Sequence, residues 1–89
     1  MKTIRIHSFG DASVLTTEDA PRPIPNDHQI LIRVCAASVN PIDYKIRSGS
    51  FNPTKIQLPA TLGRDVAGTI EVMGKKVAGF GLGDDVFAF

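Results

Sequence analysis

The stretch QILIRVCAASVNPIDYKIRSG, from Gln29 to Gly49, decides how this chain folds. In its first half Ile30, Ile32, Val34 and Ala36 alternate with Leu31, Arg33 and Cys35, the period of two that puts successive side chains on opposite faces of a β-strand. Both faces are largely apolar, so a strand over Gln29–Val39 is expected at the centre of a sheet. At Asn40 the pattern changes. Asn40 suits a helix N-cap, Pro41 the first helical position, and Asp43 the third, where a carboxylate meets exposed amide donors. Ile42 and Ile46 fall four apart on one face, and Gly49 can end the turn, which predicts a short helix over about 40–48.

Working outward, Ile4 and Ile6 alternate with Thr3, Arg5 and His7, predicting a half-buried strand from Lys2 to Phe9 that stops at Gly10 and Asp11. Val14–Thr17 reads as its short return. The stretch APRPIPND, Ala20–Asp27, holds three of the six prolines and cannot sit inside a sheet, so it reads as an extended connection. Beyond the helix, Ser50–Gly63 is rich in Pro, Asn, Ser and Thr and reads as a loop. Val66–Met73 alternates again and predicts a strand, with Gly68 marking a bulge or the close approach of another backbone. Gly74 and Lys75 turn the chain, and Val86–Phe89 is a last strand. The expectation is one mainly β domain over residues 1–89: a curled, partly open, mostly antiparallel barrel with a single short helix.

Composition excludes several functions. The 89 residues suffice for one small domain. Ten Lys and Arg oppose nine Asp and Glu, and neither sign gathers into the block that tracks a phosphate backbone, so nucleic acid is not an expected partner. No apolar run approaches the ~20 residues of a membrane span, and MKTIRIHSFG is too broken by Arg5 and His7 for a signal-peptide core. No membrane partner is expected, and the expected setting is cytoplasmic. Cys35 is the single cysteine, so an intrachain disulfide cannot form; its apolar surroundings predict a buried, inert thiol.

Motifs that would carry chemistry by themselves fail. Gly79 and Gly81 begin a dinucleotide-type glycine pattern, but Asp84 stands where the third glycine belongs and would repel a pyrophosphate. Gly68 and Gly74 are one residue too far apart for a phosphate loop, and Val77 follows the lysines where a hydroxyl would hold magnesium. His7 and His28 lack metal-type neighbours. Gly49-Ser50 lacks the frame of a nucleophile elbow.

Three runs taken together, VCAASVNPIDYKIRSG (Val34–Gly49), LPATLGRDVAGTIEVMG (Leu58–Gly74) and the ending VAGFGLGDDVFAF, resemble a known family. They look like the N-terminal, GroES-like domain of the medium-chain dehydrogenase/reductase superfamily, in its zinc-independent quinone oxidoreductase (zeta-crystallin-like) branch. The resemblance implies a GroES-like, partly open antiparallel β-barrel. The zinc alcohol dehydrogenases of that superfamily carry a catalytic Cys where Asn40 stands and a Gly-His-Glu where Gly63-Arg64-Asp65 stands. A guanidinium cannot coordinate zinc, so no metal is expected.

The resemblance also implies hydride transfer from NADPH to a quinone or to the activated double bond of an enone. Charge then develops on a carbonyl oxygen, where a donor lowers the barrier. By the resemblance, Asn40 lies beside the nicotinamide end of the cofactor, and Tyr44 and Lys45 face the substrate as the catalytic candidates. Plainer readings stay open. Asn40 also serves as an N-cap, Asp43 as a capping residue, Lys45 as a solvated cation, and Arg64 and Asp65 as partners of each other or of nearby backbone.

Family members carry a doubly wound nucleotide-binding (Rossmann) domain beyond this point, absent from this chain, so the 89 residues are expected to be inactive alone. Apolar groups around Val86, Phe87 and Phe89 are then left open, and a homo-oligomer is expected. The other reading is a non-enzymatic GroES-like module for binding or assembly, as in co-chaperonins; against it, the chain has no long glycine-rich mobile loop.

Overall fold

The computed structural model describes residues 1–52 and 55–89, so Pro53 and Thr54 of the expected Ser50–Gly63 loop lie outside the described residues. In chain order come β1 (Lys2–Ile6), a 3-10 turn (Ala12–Val14), β2 (Leu15–Asp19), β3 (Ile30–Ala37), α1 (Pro41–Ser48), β4 (Ala60–Thr61), β5 (Val66–Met73) and β6 (Asp85–Ala88). The strands form two three-stranded antiparallel sheets, ordered β2-β1-β4 and β3-β5-β6. The mainly β, unclosed character, with one α-helix among the described residues, is as expected. Two units share these elements: residues 1–21 with 39–63, and residues 22–38 with 64–89.

In the first unit β1 is central. It pairs with β2 from Lys2↔Asp19 to Ile6↔Leu15, and with β4 only at Arg5↔Thr61 and Ile6↔Ala60. Ile6 is therefore flanked on both sides and is 0% exposed, with Ala20 and Ile46 also buried. Ile4, expected to turn inward with Ile6, is 56% exposed, because β4 is too short to reach it and the sheet is two-stranded there. The N-terminal amine donates to the Ala20 carbonyl and the Ala20 N–H to the Met1 carbonyl, both at 2.8 Å, closing the open end of the hairpin. Glu18, opposite Thr3, accepts from His7 at 2.8 Å and lies 3.8 Å from Arg5, on a solvated face where such pairs contribute little.

The turn before β2 is set by Asp11, whose carboxylate accepts from the Ser13 N–H at 2.9 Å and from the Ser13 hydroxyl. The hydroxyl first, then the amide, hold the Asp11 carboxyl below its usual value, with a smaller contribution from the Arg47 charge and an opposing one from desolvation. Ser13→Ala is expected to raise that pKa, read from the Asp11 carboxyl carbon shift during an NMR titration. A depressed native pKa stabilises fully above the unfolded-state value and loses the contribution as pH falls through the native one. The stability gap between the parent chain and Ser13→Ala is therefore present at neutral pH and closes in acid.

In the second unit the central strand is β5, which corrects the expectation that Gln29–Val39 holds that place. Among the described residues β3 pairs on one side only, and Arg33 through Ala37 are exposed. The apolar content of both faces misled because much of it is Cys35, Ala36 and Ala37, small side chains that do not demand two covering layers. Cys35 is accordingly exposed rather than buried.

The reading of Gly68 holds. A Cβ there would lie 2.0 Å from the Arg33 carbonyl oxygen and 2.9 Å from Ile32 Cγ2, beside the register shift between Val34 and Ala36. Ile70, 2% exposed, anchors the other side of β5: its N–H donates to the Asp84 carbonyl at 3.0 Å and its carbonyl accepts from Gly83 at 2.8 Å. The connection Ala20–Asp27 contains no strand or helix, as its prolines require.

Candidate functional site

The sequence placed three candidates, Asn40, Tyr44 and Lys45, at the start of one helix, and the structure puts α1 there. Asn40 is the N-cap, with extended backbone at φ −120 and ψ 158, and Pro41 opens the helix. Asp43 Oδ2 accepts the Asn40 N–H at 2.9 Å, one arm of a capping box, while the Asp43 N–H donates to the Asn40 carbonyl at 2.9 Å. The capping role read for Asn40 and Asp43 is thus realised in the fold. It leaves Asn40 half-buried at the head of α1.

The far end of the helix is equally tied. Gly49 adopts the left-handed conformation, φ 82 and ψ 0, and its N–H donates to the Ile46 carbonyl at 3.0 Å. Only glycine fits there without strain, since a Cβ would also come within 3.1 Å of Phe9 Cβ. Arg47 and Gly10 hold each other reciprocally. Arg47 Nε donates to the Gly10 carbonyl at 3.2 Å, and the Gly10 N–H donates to the Arg47 carbonyl at 2.9 Å.

Ile46 is buried and Ile42 half-buried, so the inner face of α1 is apolar. Tyr44 is 53% exposed and Lys45 is exposed. Tyr44 follows Asn40 by four residues, one helical turn, which stacks the two on one side of the helix start. A phenol that donates or accepts and an ammonium with three donors are therefore presented on a helix fixed at both ends. Either can donate to an oxygen on which negative charge develops.

Arg64 and Asp65 belong to the second unit. Asp65 Oδ2 accepts from the Ser38 hydroxyl. Ser38, just after Ala37, and Asp65, just before Val66, lie one step beyond the last register pair of β3 and β5, Ala37↔Val66. Sequence reasoning missed Ser38, because its only signal is that register. The pair borders an open groove of about 490 Å³ lined by Ala36, Ala67, Phe87 and Phe89 among others. Among the described residues no three His, Cys, Asp or Glu side chains gather where they could hold a metal ion. No described helix is long and apolar enough to cross a membrane.

The family model of the alcohol dehydrogenase GroES-like domain matches residues 26–89. The chain is 49% identical over 88 residues to the quinone oxidoreductase of Lama guanicoe, covering 98% of this chain and 26% of that protein. Among solved structures it resembles the quinone oxidoreductase of Coxiella burnetii, with a TM-score of 0.90 at 42% identity over 96% of this chain and 28% of the other. It also resembles the Escherichia coli quinone oxidoreductase complexed with NADPH, with a TM-score of 0.90 at 31% identity over 98% and 26%. The chain thus spans about a quarter of the length of the relatives it matches.

Proposed function

Because the chain belongs to the alcohol dehydrogenase GroES-like domain family, within the quinone oxidoreductases of the medium-chain dehydrogenase/reductase superfamily, we propose that it is the substrate-side domain of an NADPH-dependent quinone or enone reductase. The observation that carries this reading is the match over nearly the whole chain, at 49% identity, to a quinone oxidoreductase. The proposed setting is the cytoplasm. The 89 residues are proposed to be inactive alone, since no glycine-rich dinucleotide turn occurs in them.

NADPH, when bound to the whole enzyme, supplies hydride. The residues of this chain supply position and charge. Asn40, fixed by the Asp43 cap, would help to hold the nicotinamide end of the cofactor. Tyr44 and Lys45 donate to the carbonyl oxygen of the substrate as charge develops there, and one of them delivers the proton that completes the reduction. We read the site as zinc-independent on the chemistry of its donors. The carboxamide of Asn40 and the guanidinium of Arg64 stand where the zinc enzymes place thiolate and imidazole, and a guanidinium has no lone pair to give.

The test uses the longer polypeptide that carries this domain, beside the 89-residue chain. Loss of NADPH absorbance is followed with a naphthoquinone and with an α,β-unsaturated ketone. Turnover by the longer polypeptide and none by the isolated chain is the expected pair of results. Tyr44→Phe and Lys45→Met should each lower kcat, with the residue that supplies the proton losing about 100-fold. A longer polypeptide that binds NADPH and reduces neither acceptor refutes the reading.

A further inference from the structure

We infer that Asp65 is a positioning residue for the proposed reduction, acting through the Ser38 hydroxyl on the stretch of chain that delivers Asn40. This role rests on the functional reading above. The chain changes units between Pro21 and Arg22, between Ser38 and Val39, and between Gly63 and Arg64. Ser38 is the last residue of the second unit before the chain leaves it, and Asp65 is the second residue after it returns. The Ser38 hydroxyl donates to Asp65 Oδ2, so one hydrogen bond joins the departing strand to the returning one. Residues 39–63, which lie between them, belong to the first unit and include Asn40 and α1.

The bond falls where the backbone ladder gives out. The register of β3 on β5 shifts between Val34 and Ala36, and Ala36↔Ala67 and Ala37↔Val66 are its last two pairs. Ser38 and Asp65 add one further rung, made of side chains. A hydroxyl that donates to a carboxylate makes a stronger bond than one that donates to a neutral oxygen. The hydroxyls of Thr3 and Thr61 in the first unit, 3.3 Å apart, form the neutral counterpart.

Only Val39 separates this rung from Asn40. Two residues of chain span at most ~7 Å, so a shift of Ser38 has one intervening residue to take it up before it reaches Asn40. Asn40 is held from its other side as well, with its N–H on Asp43 Oδ2 and its carbonyl accepting from the Asp43 N–H, both at 2.9 Å. Hydride transfer is sensitive to such placement, since a displacement of ~1 Å can cost ~100-fold in rate. Asp65 need touch neither cofactor nor substrate to matter. It keeps Ser38 in place.

The experiment uses the longer polypeptide that carries this domain. For Ser38→Ala, Asp65→Ala, the double variant and Asp65→Asn, it reads the urea midpoint, the Kd for NADPH from the fluorescence of bound cofactor, and kcat with a naphthoquinone. It also reads the deuterium isotope effect on kcat, with NADPH labelled at the transferred hydrogen. Kd and the isotope effect belong to the folded molecules alone, so a loss of stability by itself moves neither. Ser38→Ala and Asp65→Ala are each expected to weaken NADPH binding and lower kcat by about 10-fold, with a larger isotope effect. The double variant should lose no more than either single one, because both remove the same bond. Asp65→Asn keeps an accepting oxygen and should recover most of the loss. Thr3→Ala, which removes the neutral hydroxyl pair, should match the parent.

A Ser38→Ala variant with the parent's Kd and isotope effect overturns the proposal, whatever happens to its midpoint. Losses that add in the double variant also overturn it, as does Asp65→Asn no better than Asp65→Ala. If Asp65→Ala does not fold, Ser38→Ala carries the same comparison. A parent polypeptide that neither binds NADPH nor reduces the quinone overturns the functional reading and this role with it, whereas an active parent with unresponsive variants overturns this role alone.

Discussion

Gly68→Ala is expected to dismantle the β3-β5-β6 sheet. The added methyl would sit 2.0 Å from the Arg33 carbonyl oxygen, well inside contact distance. The obstacle is backbone, which cannot rotate away as a side-chain tip would. Relief requires β3 to slide or lift off β5, and the pairs from Val34↔Gly68 to Ala37↔Val66 are lost with it. Overpacking of this kind costs about 1–3 kcal/mol where neighbours can adjust and more where they cannot, so a loss of ~3 kcal/mol or above is expected. Urea denaturation followed by circular dichroism measures it. A midpoint within error of the parent chain would mean that β3 and β5 approach less closely than 2.0 Å implies.

The second large effect is expected in the other unit, from Ile6→Ala. Ile6 is 0% exposed in the two-residue stretch, Arg5 and Ile6, where β1 has a strand on each side, and only Ala20 and Ile46 accompany it among the buried apolar side chains described in that unit. Truncating a fully buried isoleucine removes its transfer free energy and leaves a cavity, together about 2–5 kcal/mol. At ~0.05–0.15 kcal/mol per residue a chain of this length has about 4–13 kcal/mol to lose. The small set of buried apolar residues, Ile6, Ala20, Ile46 and Ile70 among those described, places it toward the lower end. Ile6→Ala should therefore leave a large unfolded fraction at 37 °C, whereas Ile4→Ala, at a site 56% exposed, should change the midpoint little. Equal effects from the two would refute the central role of Ile6 in the core.

The contrast between Ile4 and Ile6 separates what neighbouring residues announce from what distant partners decide. Chemistry confined to neighbours was legible in the sequence. Asn40, Pro41 and Asp43 announced the start of α1, Gly49 its end, and Val66–Met73 the strand at its observed limits. Gly68 announced a close approach, though not whose backbone approached. What depended on distant partners was hidden. The two-residue strand β4 has no period of its own, yet it decides that Ile6 is buried and Ile4 is not. The edge position of β3, the exposure of Cys35 and the Ser38–Asp65 hydrogen bond all follow from pairing with residues from position 65 onward. Of the candidate site, the sequence revealed the helix that carries Asn40, Tyr44 and Lys45, and the structure adds the ties through Arg47 and Gly10 that hold it.

The division of the chain into interleaved units also bears on how it folds. Strands β1 and β2 are neighbours in sequence, so their hairpin can close as soon as Asp19 is available. Strand β3 has no such partner nearby. It must wait until Val66 and its successors have been made, because all of its described pairing is with β5. Contacts between segments so far apart require a large loop to close first, which slows folding and raises contact order. During synthesis, therefore, the apolar run from Ile30 to Ala37 is exposed while the first hairpin is already complete, and this interval is when the nascent chain is most open to misassembly.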